Sequence, residues 1–242
     1  MPEPAERRVD GARHSVDRAL WRAYSRVYDG LLGFWPYRNL LQQVVDELAL
    51  EHASSLLDVG CGTGNLLMLS RRVAPELKAA GVDAAPSMLR QARAKLAANG
   101  AEVEHVEADA VDYLATVPTG SVDRIAAVNV LYALDDRTRF WREAARALAP
   151  GGLVVVTTST RGGSASIIRE HLDHEPLHTL IRPRLVAVFL VDALISLLAR
   201  TNHFEFPADD ALLREARGAG VEVLRTARTY GGVNLLITAR AG

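Results

Sequence analysis

The ten residues Leu56-Leu57-Asp58-Val59-Gly60-Cys61-Gly62-Thr63-Gly64-Asn65 restrict the folding options of this chain more than any other stretch. The apolar run Ser55–Val59 reads as a buried strand. The glycines that follow let the backbone turn sharply and approach a ligand without a Cβ in the way. A helix over 66–73 comes next and points its unpaired N–H groups back at the loop. In an open α/β sheet such a loop lies outside the carboxyl ends of the strands, where ligands bind. Dinucleotide loops read GxGxxG, whereas here Gly60, Gly62 and Gly64 alternate and Asn65 stands where the third glycine would be. Asp58 adds to the contrast, because a carboxylate beside the loop attracts an ammonium and repels a pyrophosphate. A purely structural glycine turn is the plain alternative.

The rest of the chain alternates in the same manner. Strands are expected at 79–83, 102–107, 122–128 and 153–158, with helices at 86–99, about 109–115 and 138–148. The turn Pro150-Gly151-Gly152 is expected to precede the fifth strand. Strands separated by helices imply βαβ crossovers and a parallel sheet. A helix over 209–219 then leads to strands at 221–227 and 233–239, joined so closely that they should pair antiparallel. The fold class is therefore α/β: a doubly wound, seven-stranded, mostly parallel, Rossmann-like sheet with an antiparallel C-terminal strand pair. Residues 1–15 read as a flexible tail and 16–242 as one domain. Within it, helices at 16–31 and 37–50 form an N-terminal cap over 16–50, and 160–207 form a helical lid insertion.

Carboxylates recur at the strand ends. Asp83 closes the second strand, where a carboxylate can accept from both hydroxyls of a ribose; capping the helix at 86–99 is the alternative, and Ser87 competes for that role. Asp109 follows the third strand, either as an acceptor for an adenine amino group or as a solvated loop aspartate. Three such carboxylates at successive strand ends argue for one ligand.

With these segments in place, 56–158 resembles the class I S-adenosylmethionine (SAM)-dependent methyltransferases: LLDVGCGTGN, GVDAAPSMLRQAR, VEADAVDYL, VDRIAAVNVLYAL and LAPGGLVVVT fall in family order. The resemblance implies SAM as cofactor and S-adenosylhomocysteine as product. It implies that Asp58, Gly60, Cys61 and Gly62 line the methionine end and that Asp83 holds the ribose. Ala84 and Met88 would pack near the adenine, with Asp109 and the Ala110 N–H at its edge, and Asn129 and Leu131 would face the sulfonium. Tyr28, in the pair Tyr28-Asp29, would close over the cofactor together with Tyr24, unless both are ordinary core aromatics. The sequence is loosely similar to the quinone C-methyltransferase and phosphatidylethanolamine N-methyltransferase branches. A non-catalytic SAM-binding scaffold is the alternative function, and a nicotinamide-dependent oxidoreductase is disfavoured by the glycine spacing and by Asp58.

Methyl transfer from a sulfonium is an in-line displacement that asks mainly for alignment and dryness, so no catalytic triad is needed. The candidates for a catalytic group are His171, His174 and Tyr132. His171, His174 and His178 would share one helix face, but Pro176 interrupts it, and a polar surface is the bland reading. A metal site is not expected from them. The helix 185–199 is apolar except for Asp192 and Ser196 and is flanked by arginines. It reads as a lid over an apolar pocket or as a peripheral membrane contact, and either favours a small, substantially apolar or lipid-like acceptor.

Composition narrows the classes further. The chain has 242 residues, 49% hydrophobic and 24% charged, with a formal net charge of -1; this profile is globular and carries no overall pull toward nucleic acid. One cysteine rules out an internal disulfide, and no signal-peptide pattern is present, so a reducing, cytoplasmic location is expected. Two lysines, Lys78 and Lys95, among many arginines and alanines fit a GC-rich bacterial coding bias.

Overall fold

The computed structural model of the protein describes residues 24–160, 164–190 and 207–242. Seven strands form one sheet: β1 (Ser55–Val59), β2 (Lys78–Asp83), β3 (Glu104–Glu107), β4 (Val122–Val128), β5 (Leu148–Ser159), β6 (Val221–Thr229) and β7 (Asn234–Ala241). Their order is β3-β2-β1-β4-β5-β7-β6. β1 to β5 pair in parallel, and β7 lies antiparallel to both β5 and β6. This is the expected doubly wound sheet with its antiparallel end.

The period of two along each central strand divides the core between the two faces of the sheet. Leu56, Ala126, Val155 and Leu236 face one apolar cluster, and Leu57, Ile125, Val154 and Ile237 face the other. The first cluster is covered by α1 (Trp35–Leu48), α2 (Asn65–Val73) and α3 (Pro86–Ala98). The second is covered by α4 (Ala110–Thr116), α5 (Arg137–Ala147) and α7 (Asp209–Gly218). Asp58 shares its parity with Leu56 and so lies on the face covered by the N-terminal helices.

Most boundaries fall within two residues of expectation, and β4 matches at both ends. The fifth strand is the exception, since it starts at Leu148 rather than Leu153. The Pro150-Gly151-Gly152 turn is absorbed as a bulge, with Gly151 at φ 78° and a register shift against β4 between Val122 and Arg124. A Cβ at Gly152 would come within 2.9 Å of the Ala149 carbonyl and 3.0 Å of that of Asp123, so the bulge closes only around glycine.

Residues 24–28 are helical and run into a 3₁₀ turn, Asp29–Gly33, ahead of α1. The described part of the insertion comprises α6 (Ser164–His174), a 3₁₀ turn (Leu177–Ile181) and a helix over 183–190. It packs against the N-terminal segment. The Phe34 ring stacks on His171 at 4.8 Å and meets Phe189 and Tyr230 edge-on. At Gly30 a Cβ would lie 2.6 Å from the Arg184 carbonyl, so the helix seats directly on that glycine. The tail 1–15 and the expected helix beyond residue 190 lie outside the described residues.

Arg124, near the start of β4, is buried with no carboxylate partner among the described residues. Its Nε donates to the Leu48 carbonyl at 2.5 Å, and its Nη2 donates to the carbonyls of Ala49 and His52. It thereby caps the C-terminal end of α1, where the helix dipole is negative and Ala49 adopts φ 45°. Replacing it leaves buried carbonyls unsatisfied. Arg124→Met should lose about 3 kcal/mol in urea unfolding, and a loss below about 1 kcal/mol, the size of an ordinary surface change, would refute the capping role.

Candidate functional site

The three loop glycines all take left-handed conformations, with φ 72°, 53° and 73° at Gly60, Gly62 and Gly64. Their surroundings differ. A Cβ at Gly60 would strike Val130 at 2.5 Å and one at Gly64 would press on Leu96 and Ala92, whereas at Gly62 no heavy atom lies within 4 Å. Gly60 and Gly64 are thus required by packing, and Gly62 opens onto unfilled space. The Gly60 and Cys61 N–H groups both donate to the Val82 carbonyl, which ties the loop to the tip of β2.

Asp83 continues that tie. Its Oδ2 accepts from the Gly62 N–H and its Oδ1 from the Ala85 N–H, both at 2.8 Å. Neither Asp83 nor Ser87 caps α3, whose N-cap residue is Ala85. Each Asp83 oxygen keeps a second lone pair for a further donor. Asp58 is the unusual group. It is 2% exposed and accepts no hydrogen bond from the described residues. Burial, with repulsion from Asp83 second, raises its pKa to about 8. A buried carboxyl left this way lacks a cation or donor.

A polar clamp that sequence reasoning missed fastens the N-terminal segment to this loop. Lys95 Nζ, on α3, donates to both Asp29 oxygens at 3.0 Å and to Asn65 Oδ1 at 2.5 Å. Thr63 Oγ1 donates to Asp29 at 2.6 Å, and Asn65 Nδ2 reaches the Tyr37 hydroxyl. Burial lowers the Lys95 pKa, and Asp29 opposes the shift. Asn65, the residue that broke the dinucleotide pattern, is therefore a working part of the clamp. The pair Tyr28-Asp29 and one of only two lysines in an arginine-rich chain were the available signals.

Tyr28, half-buried, lies beside the clamp, edge-on to Tyr24 at 5.1 Å and to Tyr37 at 6.0 Å. Burial raises its pKa well above the ordinary phenol value, with Tyr37, Tyr24 and Tyr132 adding to the shift. Tyr37 is pushed up to about 12, chiefly by burial. These phenols stay protonated near neutrality.

The remaining expected residues divide. Asp109 stands one strand further along the edge and caps α4, its Oδ1 accepting from the Val111 and Asp112 N–H groups. Met88 and Ala110 are buried and Ala84 is exposed. The Cys61 thiol packs under the loop, close enough to β2 that a Cβ on Gly81 would collide with its Sγ, and burial raises its pKa. Asn129 ends β4 at φ 56°, with its Oδ1 accepting from Asn234 Nδ2 at 2.6 Å. The Leu131 side chain is fully buried in the second core cluster, which leaves its backbone as the part available to the edge.

His171 is a correction. It is fully buried, accepts the Trp35 N–H at Nδ1 (3.1 Å), and pairs through Nε2 with Thr179 Oγ1 at 2.7 Å. Burial lowers its pKa. Both ring nitrogens are engaged, which pins the insertion to the cap. His174 is exposed and stacks on Trp35 at 3.5 Å, and His178 follows the break at Pro176, so the three histidines share no helix face.

The mostly parallel sheet, the glycine loop and the acidic edge define an α/β domain with carboxylates at its strand tips. Comparison with known proteins specifies it. Residues 56–152 match the family described as Methyltransferase domain. A demethylmenaquinone methyltransferase of Thermus thermophilus is 38% identical over 127 residues, 52% of this chain and 56% of that one. A trans-aconitate 2-methyltransferase of Azoarcus sp. is 35% identical over 119 residues, 49% of this chain and 43% of that one. The chain thus spans about half the length of these curated relatives. A SAM-dependent methyltransferase from Aquifex aeolicus shares the fold, with a TM-score of 0.61 at 18% identity over 89% of this chain and 97% of that one. Residues 56–152 thus carry a match to the methyltransferase domain family, on a fold that the Aquifex methyltransferase shares. The nicotinamide alternative is set aside.

Two outcomes follow. Asp58, with a folded pKa of about 8 against 3.8 unfolded, favours the fold below pH 4, and that contribution is lost as pH rises through 8. Asp58→Asn should therefore gain on the wild type in melting temperature as pH rises, with the gap levelling off above about pH 8; a gap independent of pH would contradict it. Lys95→Met and Asp29→Asn should each destabilise, and the double variant by less than their sum, with a coupling of about 1–3 kcal/mol. Additive losses in urea unfolding would dissolve the clamp.

Proposed function

We propose that this chain transfers a methyl group from SAM to a small, substantially apolar acceptor by in-line displacement. The observation that carries the reading is the buried Asp58 carboxyl, without a hydrogen-bond partner among the described residues, on the strand that runs into the glycine loop. The methionine ammonium fits there as the missing partner, and its charge would draw Asp58 into the ionised form. Gly60 and Gly62 would admit the methionine backbone at close range. Asp83 would accept from the ribose hydroxyls with its spare lone pairs. The second oxygen of Asp109 and the Ala110 N–H would meet the adenine edge, with Met88 and Ala84 against its face. Asn129 and the Leu131 backbone would flank the sulfonium.

When bound, SAM supplies an activated methyl group with its leaving group already in place. The chain's residues then have to align the acceptor and keep water out. Tyr28 and Tyr24 suit that task, and the Phe34, Phe189 and Tyr230 cluster makes the cap behind them apolar and aromatic. With His171 engaged on both nitrogens and Tyr28 held protonated, the reading favours an acceptor that presents an unprotonated lone pair, or an electron-rich ring carbon whose displaced proton leaves to solvent. A substantially apolar acceptor partitions into lipid, which makes peripheral membrane contact part of the same reading. Among the described residues no helix is long and apolar enough to cross a bilayer.

Titration calorimetry should show SAM binding with NAD(H) silent. Asp58→Asn should weaken SAM roughly 10- to 100-fold, the cost of losing a charged hydrogen bond. Labelled SAM incubated with quinols, phenols, amines and phospholipids should label one apolar class. Binding without transfer to any acceptor would favour the scaffold, and absence of SAM binding would end the proposal.

A further inference from the structure

Most large apolar side chains that stand exposed among the described residues gather in one region. Leu177 and Ile181 are 68% and 73% exposed and Leu190 is 67% exposed, with Val186, Ile168 and Leu172 less so. Val73 and Leu224 are the ones lying well away from the cap and insertion. On the two α-helical pieces the spacing is regular: 168 and 172 on α6, and 186 and 190 on the helix over 183–190, are each four apart, so each pair shares a face, and Leu177 and Ile181 stand exposed at the two ends of the 3₁₀ turn between them. The opposite faces are already in use. His171, Thr179, Leu185 and Val188 are buried, and the last helix rests on Gly30, two residues after Tyr28. The insertion is therefore apolar on both sides, and one of those sides faces outward.

Charge indicates what meets it. Residues 176–190 contain no aspartate or glutamate, and they carry Arg182, Arg184 and His178. All three are exposed, and neither arginine makes an ion pair among the described residues. Of the nearby carboxylates on the α6 side, Glu175 is taken by Arg38 and Glu170 by the Gly231 N–H, which leaves Asp173 at the margin. Exposed leucines and isoleucines flanked by unneutralised arginines match a bilayer whose headgroups are anionic.

We propose that the face from Leu177 to Leu190 docks on an anionic lipid surface, with its apolar side chains in the headgroup region and Arg182 and Arg184 on lipid phosphates. This deepens the apolar-acceptor reading, since the underside of the docked helix touches the segment that carries Tyr28, and a lipid-dissolved acceptor would arrive beside the cofactor edge.

The test is sedimentation of the purified full chain with vesicles of phosphatidylcholine alone or mixed with phosphatidylglycerol. The protein should pellet with the mixed vesicles, stay largely in solution with phosphatidylcholine, and release as salt rises. Arg182→Gln with Arg184→Gln disturbs no apolar packing and should weaken binding about 25-fold, roughly fivefold for each arginine. Leu177→Ser, Ile181→Ser and Leu190→Ser together should abolish it. Wild-type protein that ignores mixed vesicles at low salt would overturn the proposal, as would unchanged binding by either variant. A dimer that dissolves in the triple variant, without vesicle binding by the wild type, would assign the face to a second copy instead. SAM calorimetry on the same preparations separates the two readings: vesicle binding without SAM binding ends the proposed function alone, and the reverse ends only the docking.

Discussion

A carboxyl at the end of a central strand, taken out of water and given no partner by the described chain, is costly to keep. Asp58 occupies that position between β2 and β4, and Asp83 on the neighbouring strand makes its ionised form costlier still. It stands on the strand that runs into the glycine loop, where Gly62 opens onto unfilled space. Most of the surrounding architecture works to hold that arrangement. Asp83 fixes the loop through the Gly62 N–H, the Val82 carbonyl receives the Gly60 and Cys61 N–H groups, and Gly60 allows Val130 to close in from beyond β4.

The N-terminal helices and the insertion are attached to this edge by polar pins rather than by apolar contact alone. Lys95 gathers Asp29, Thr63 and Asn65, joining three segments distant in sequence. Arg124 holds the far end of α1 against β4, and His171 pins α6 to the Trp35 N–H. Each pin is a buried charge or ring whose hydrogen bonds are satisfied, so each specifies one position of the cap over the strand tips. Tyr28 is carried into place by the same clamp.

How much of this was legible in the sequence depended on range. The glycine loop, the strand alternation and the acidic strand ends are local patterns, and the bounds of β4 are legible because Ile125–Val128 is one short continuous apolar run. β5 began five residues early because Gly151 turns a sequence that reads as a loop into a bulge the sheet absorbs. His171 looked like a base candidate because its partner, the Trp35 N–H, is 136 residues away. The bonds of Arg124 to Leu48 and of Lys95 to Asp29 are invisible for the same reason. The sequence offers Asp109 as a ligand contact or a solvated loop residue, and the structure adds the role of helix cap that its position just before α4 allows.

The central claim is that the Asp58 carboxyl waits protonated for a cation and ionises when one arrives. Titration calorimetry of SAM at pH 7, run in buffers of differing ionisation enthalpy, counts the protons exchanged on binding. With an Asp58 pKa of about 8, binding should release close to one proton per SAM in the wild type and close to none in Asp58→Asn. SAM binding with no proton release by the wild type, or with equal release by the variant, would contradict the account.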